Sequence, residues 1–246
     1  MTAGRCPNHV EQSLKRFCPS SGDYHPQRGF TLLEMLVTIF IFTIIATTIF
    51  GSYNAVFSKA AAIKNDMMAY EMAKDCLNRI MLDLQALYLS QPPAYAPPEN
   101  ADEQDPHRIV GETIYTGNNP FARLRFASMA HLPMTAKKQA GIAEIIYYVR
   151  STGGGKYTLR RSDNLVLYGP SEEKENDPVL CENLKSLSFK YYGSEGDEYE
   201  AWDSESEDFE YSTPRAIAVK LAIGHDERFQ VFETLIKLPY YREKIE

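Results

Sequence analysis

Histidine is scarce in this sequence, and the motifs in which enzymes use it are absent. Only five of the 246 residues are histidine, and those beyond residue 29 are His107, His131 and His225. None of them has a serine or cysteine nucleophile in a recognisable elbow. HExxH, Walker A and glycine-rich phosphate-binding patterns are missing as well. We therefore expect a protein that is not an enzyme and that needs no cofactor, which argues against a hydrolase.

Clusters of basic residues are also missing. The chain has 26 Lys and Arg against 33 Asp and Glu, a net charge of −7. The basic residues of the first 29 positions outnumber the acidic ones by two, so the remainder carries −9 (−7 minus +2). A net charge of this sign disfavours nucleic acids and anionic membrane surfaces as partners.

Residues 30–50 contain no glycine and no proline, and Glu34 is their single charged residue. A helix of about 20 apolar residues spans a hydrocarbon core of about 30 Å, and only a helix satisfies its own backbone there. The sequence therefore predicts a single transmembrane pass over residues 30–53. The preceding residues 1–29 are positively charged, so we expect them to stay in the cytoplasm while the rest is exported.

Glu34 is a carboxylate placed inside this apolar segment. A charge within the bilayer costs roughly 2.5–3.5 kcal/mol on insertion scales. An ordinary signal peptide is cut after its apolar run, whereas Gly29 lies before it. Cleavage between Gly29 and Phe30 would leave the helix on the product and create an α-ammonium group at Phe30. In a stack of subunits, that ammonium group would pair with Glu34 of a neighbouring subunit. The alternative is that the Glu34 side chain extends to the lipid headgroups by snorkelling.

The string RGFTLLE at residues 28–34, with the apolar helix behind it, resembles the class III signal of type IV pilins and pseudopilins. This resemblance covers Arg28 to about Tyr53. It implies that prepilin peptidase, a membrane aspartyl peptidase, cuts after Gly29 and methylates the amino group of Phe30. It also implies that Glu34, fifth in the processed chain, is the glutamate used in assembly.

A looser resemblance is to the J-type minor pseudopilins of type II secretion. It rests on residues 77–85 at the helix end, including Asp83, and on residues 189–192, Trp202 and residues 214–239. It implies a two-sheet head in the periplasm, anchored in the inner membrane, that joins the I- and K-type minor pseudopilins in the tip complex of the pseudopilus. A W-like minor pilin of a type IV pilus shares the same N-terminal features and stays open as an alternative.

The rest of the pattern predicts the fold class. An amphipathic helix is expected over residues 54–91, with Asp83 on its polar faces, and a β-rich head over residues 92–246. Hairpins are predicted around Gly153–Gly155 and around residues 224–228. Strands follow helix without βαβ alternation, so we expect an α+β pseudopilin fold, a long helix packed on antiparallel sheet. The predicted apolar stripe of the helix comprises Ile63, Met67, Tyr70, Leu77, Met81, Leu84 and Tyr88.

The four cysteines divide between the leader and the exported part. Cys6 and Cys18, with His9 and His25, fit no common zinc spacing, so no metal site is predicted there. Cys76 and Cys181 would lie in an oxidising compartment, where a disulfide is permitted. Alternatively, Cys76 is an ordinary buried thiol on an apolar helix face.

Residues 195–210 are strongly acidic. Oxygen ligands at this density are compatible with Ca²⁺, but no EF-hand spacing is present, and a solvated charged loop is the simpler interpretation. Trp202, the single tryptophan, either anchors this segment to the core or serves as a contact residue.

Overall fold

In the part of the chain that the structure describes, a long helix precedes ten strands. The structure is a computed structural model that describes residues 29–90, 92, 95, 104–132, 141–165, 173–225 and 228–244. The helix is α1 (Leu32–Gln85). The strands are β1 (Val110–Thr116), β2 (Asn119–Ser128), β3 (Ala143–Gly153), β4 (Lys156–Asn164), β5 (Val179–Cys181), β6 (Leu184–Tyr192), β7 (Glu198–Tyr199), β8 (Trp202–Asp203), β9 (Ala216–His225) and β10 (Arg228–Lys237).

The chain divides into two compact units, with the boundary between Val56 and Phe57. In the first unit, every described residue of α1 is exposed except Ala46, which is half-buried. Within the second unit, the C-terminal part of α1 contributes to a core that includes residues of both sheets. The predicted α+β class, a long helix packed on antiparallel sheet, is therefore confirmed.

The buried face of the helix differs from the predicted stripe. Ile63, Met67 and Tyr70 are more than half exposed. The residues that pack into the core recur at steps of three and four and start further along the chain: Ala73, Cys76, Ile80, Leu84 and Leu87. Alanine and cysteine are small, and they let the sheets approach the helix closely, so a stripe chosen for large side chains was wrong over its first half.

The helix also ends earlier than predicted. It stops at Gln85 rather than at residue 91, because the following residues join the end of β2. Leu87 forms a bridge with Ser128, and the amide of Tyr88 donates to the carbonyl of Ala127 at 2.9 Å. The Ser128 hydroxyl donates to the carbonyl of Asp83 at 2.9 Å, which satisfies one of the helix's terminal acceptors.

The strands form two antiparallel sheets. The six-stranded sheet has the order β5-β4-β3-β2-β1-β8, and the four-stranded sheet has the order β10-β9-β6-β7. Both predicted hairpins are present as β3–β4 and β9–β10. Gly153, Gly154 and Gly155 all have positive φ angles, from 61° to 92°, which explains why glycine fills the first of these turns.

The two sheets come close at Gly111 in β1. A Cβ atom placed there would lie 1.8 Å from the hydroxyl oxygen of Tyr191 in β6. Tyr191 is itself buried, and its ring contacts that of Trp202. Glycine at this position therefore sets the spacing of the two sheets.

Candidate functional site

The start of α1 is a capping box formed by Thr31 and Glu34. The Thr31 amide and hydroxyl each donate a hydrogen bond to Glu34 Oε2 at 3.0 Å. The Glu34 amide donates to Thr31 Oγ1 at 3.3 Å. Thr31 is thus the N-cap and Glu34 the N3 residue of a reciprocal pair that satisfies free backbone donors of the first turn.

This geometry holds the Glu34 carboxylate at the helix N-terminus, where the helix dipole favours negative charge. Among the described residues, the hydrogen bonds to this carboxylate go to Oε2, so Oε1 is left to accept from a further donor. Phe30 directly precedes the N-cap, so an amine made there would belong to the same end of the helix. The Thr-x-x-Glu spacing is the sequence signal of this box, and our sequence analysis missed it.

The threonines of the apolar segment hydrogen-bond within the helix. Thr38 Oγ1 donates to the carbonyl of Glu34 at 2.6 Å, and Thr43 Oγ1 donates to that of Ile39 at 2.7 Å. Thr47 and Thr48 make equivalent bonds to carbonyls three or four residues back. Their hydroxyls therefore need no water, which makes them compatible with lipid.

The apolar side chains of this segment point outward and cover a surface far larger than a soluble monomer exposes. Phe30, Phe40, Phe42 and Phe50 are each 65–82% exposed. Helix α1 contains an 18-residue window with a mean hydropathy of 2.3, long and apolar enough to cross a membrane. Lipid or other apolar helices must cover these side chains.

Asp83, predicted to lie on a polar face, is completely buried. Its carboxylate accepts hydrogen bonds from the hydroxyl of Tyr147 at 2.5 Å and from Nε of Arg161 at 2.6 Å. Arg79, one turn earlier on the helix, also pairs with it. A buried charge is stable only when paired, so these contacts bind α1 to β3 and β4.

The pKa values of this network follow from burial and from Asp83. Burial alone would lower the pKa of Arg161, but hydrogen bonds and charges from Asp83 and Asp163 raise it above its usual value. Burial raises the pKa of the Tyr147 hydroxyl, and the Asp83 charge raises it further. Both shifts favour a charged Arg161 and a neutral Tyr147 near neutral pH, the states in which the two side chains donate to Asp83.

Asp163 extends the network toward the surface. Burial would raise the pKa of its carboxyl, but the Leu132 amide, His131 and Arg161 outweigh burial and hold the pKa below its usual value. The Leu132 amide donates at 2.8 Å, and Arg161 Nη1 donates at 2.6 Å.

Cys76 and Cys181 are both buried, and the structure holds them as free thiols. Cys76 lies on the core face of α1, and Cys181 ends β5. The Cys181 thiol lies close enough to raise the pKa of the Cys76 thiol, and burial raises it as well. The disulfide itself stays a prediction.

Trp202 anchors the acidic segment to the core. It is 3% exposed, and its ring stacks on Phe209 with a centroid separation of 3.9 Å. Its Nε1 donates to the carbonyl of Ser212 at 3.3 Å. Of the two roles considered for Trp202, anchoring is the one that fits.

The acidic residues of this segment are used in part for internal contacts. Glu205 pairs with Arg108 and accepts from the amide of Asp105. Within the described ranges, no group of three or more His, Cys, Asp or Glu side chains has a metal-binding arrangement. The leader residues Cys6, His9, Cys18 and His25 lie outside the described residues.

Comparison with known proteins identifies the N-terminal segment. Residues 24–50 match the family of the prokaryotic N-terminal methylation motif. The chain thus carries the class III signal of type IV pilin-like proteins, and the match includes Gly29, Phe30 and Glu34. This signal implies processing by prepilin peptidase, membrane anchoring and assembly into a pilus-like fibre. No curated protein matches the chain.

Proposed function

We propose that this chain is a minor pseudopilin of a type II secretion system, a structural subunit of the pseudopilus tip complex that initiates assembly for export of folded proteins. It crosses the inner membrane once, with its β-rich head in the periplasm. Its partners are prepilin peptidase, the I- and K-type minor pseudopilins and the rest of the pseudopilus. It works by association rather than by catalysis.

One observation carries the proposal: the methylation signal leads into helix α1, and the apolar side chains of α1 are exposed throughout the first compact unit of the chain. Such a helix stacks with neighbouring helices through van der Waals packing in lipid. Further along α1, Ile63 and Met67 remain 67% and 66% exposed. These side chains suit contacts with partner helices beyond the membrane.

The size of the head favours the tip over the shaft. Among the described residues, ten strands in two sheets follow the helix. A subunit at the tip has neighbours on one side only, so a large head fits there, whereas a repeated shaft would be crowded by it.

The partners are tested by co-purification. The tagged full-length chain, extracted in detergent from its own cells, should retain I- and K-type minor pseudopilins. Retention of minor pilins of a motility pilus instead would support the W-like alternative and refute the secretion role.

The role of Glu34 is tested by separating its charge from its capping function. Glu34→Gln keeps an acceptor for Thr31, since Gln also closes a capping box, but it removes the negative charge. We expect this variant to be cleaved normally and to assemble poorly, as Glu34→Ala should. Thr31→Ala keeps the charge and is the matched control, with assembly retained. Normal assembly of Glu34→Gln would show that charge pairing is not needed.

A further inference from the structure

Two thiols meet where the helix packs against the edge of the six-stranded sheet. Cys76 in α1 and Cys181 in β5 are each 1% exposed and belong to the same hydrophobic core, and the Cys181 thiol is close enough to raise the pKa of the Cys76 thiol. A second contact fixes the same place: the amide of Glu182 donates to the sulfur of Met72 at 3.0 Å. Met72 is one helical turn before Cys76, and Glu182 directly follows Cys181. The contact between Met72 and Glu182 therefore holds this part of α1 against the end of β5.

We propose that Cys76 and Cys181 form an intramolecular disulfide during folding after export, and that this bond fastens β5 to α1. The proposal rests on the proposed function for its oxidising compartment. The oxidant is the disulfide of a thiol oxidoreductase. Each cysteine loses one hydrogen, one S–S bond forms, and the two electrons and two protons reduce the oxidant's disulfide to two thiols.

The environment of the pair decides when the bond forms. The Cys181 thiol and burial raise the pKa of the Cys76 thiol, and a protonated buried thiol is a poor nucleophile. Oxidation therefore precedes complete burial, while the chain is still folding. Once formed, the bond is out of reach of reductants in the folded protein.

The strand that the bond would hold is short. β5 has three residues and lies at the edge of its sheet. It pairs with β4 through Cys181 opposite Leu159 and Val179 opposite Arg160, with a register irregularity between them, and directly before it the amide of Arg161 donates to the carbonyl of Pro178 at 3.1 Å. A cross-link between residues far apart in sequence restricts the unfolded chain strongly.

The redox state can be read on the full-length protein in its own cells. Cells are quenched in acid, the protein is unfolded, and free thiols are tagged with a maleimide polymer that retards the chain on a gel. Chain cut at Gly29 keeps only Cys76 and Cys181, because Cys6 and Cys18 precede the cut. We expect no tag without prior reduction and two tags after reduction. Two tags without reduction would overturn the proposal.

The same gel separates this inference from the proposed processing. If the leader were retained, the larger precursor would carry two leader thiols that remain tagged. The disulfide would then appear as two tags before reduction and four after it, and four tags before reduction would overturn it. Failure of cleavage and failure of the disulfide thus give different bands.

Peptide mapping identifies the partners. Trypsin should release the peptides 75–79 and 175–185 joined by one disulfide. Linkage of Cys76 to another chain would contradict an intramolecular bond. The matched control is Cys181→Ser, in which Cys76 should be tagged once with or without reduction.

The fastening role has its own readout. Wild-type protein that is unfolded, reduced and refolded in reductant should have a lower Tm than untreated wild type, whereas the same treatment should leave the Tm of a Cys76→Ala/Cys181→Ala double variant unchanged. An equal shift in both proteins would refute the role assigned to the bond.

Discussion

Replacing Asp83 by alanine should destabilise the second unit by about 3 kcal/mol. Removing one partner of a buried ion pair costs about 3–5 kcal/mol, because the other charge is left uncompensated. Arg161 would keep Asp163 at 2.6 Å and the carbonyl of Ala130 at 3.1 Å. These contacts place the expected loss near the lower end of that range. The hydroxyl of Tyr147, now bonded at 2.5 Å, would lose its acceptor as well.

Urea unfolding of the processed full-length chain in detergent measures this loss. Trp202 is the single tryptophan and is buried, so its fluorescence reports on the head. The matched control is Asp75→Ala, since Asp75 is an exposed aspartate of the same helix and should change stability by about 0.5 kcal/mol or less. The reasoning is refuted if Asp83→Ala is no more destabilising than this control.

A double-variant cycle tests the pairing itself. Arg161→Met removes the guanidinium and keeps an apolar side chain of similar length. Because each single variant strands the other partner, Asp83→Ala with Arg161→Met should lose less stability than the sum of the two single losses. Strict additivity would mean that the two side chains do not stabilise each other.

Three further perturbations have defined outcomes. Gly29→Leu should block cleavage, so the chain should run at precursor size on a gel; a band of mature size would show that the cut lies elsewhere. Gly111→Ala should lose about 1–3 kcal/mol by overpacking, because its Cβ would collide with Tyr191, and an unchanged urea midpoint would contradict that close approach. The lowered pKa of Asp163 contributes stability that is complete above its usual pKa of 3.8 and is lost as pH falls through the lower folded value. Unfolding measured from about pH 6 to pH 2 should therefore show a shallower acid loss in Asp163→Asn than in wild type, and identical slopes would refute this assignment.

Local patterns in the sequence predicted much of the fold. Both hairpins follow from alternating strands on either side of glycine-containing turns, and their geometry depends on nearest neighbours alone. The apolar first part of α1 could also be predicted, because a segment that crosses a bilayer must be an uninterrupted helix. The first half of the predicted stripe was wrong because the buried face of the helix begins with the small residues Ala73 and Cys76, which a search for large apolar side chains passes over.

The Asp83 network could not be read from the sequence. Its partners Tyr147 and Arg161 lie 64 and 78 positions away, and only the packing of β3 and β4 on the helix brings them together. Arg79, four residues before Asp83, was visible as an ordinary helical pair, which favours a surface position as much as a buried one. The capping box of Thr31 and Glu34 was legible in principle, since its spacing is local and precedes an apolar run.

Mass spectrometry of the chain isolated from its own membranes shows at which residue the polypeptide begins. We predict a processed polypeptide that begins with N-methylated Phe30, because that residue supplies the cation for Glu34 of a neighbour. A chain that begins at any other residue, or one that retains its leader, would contradict it.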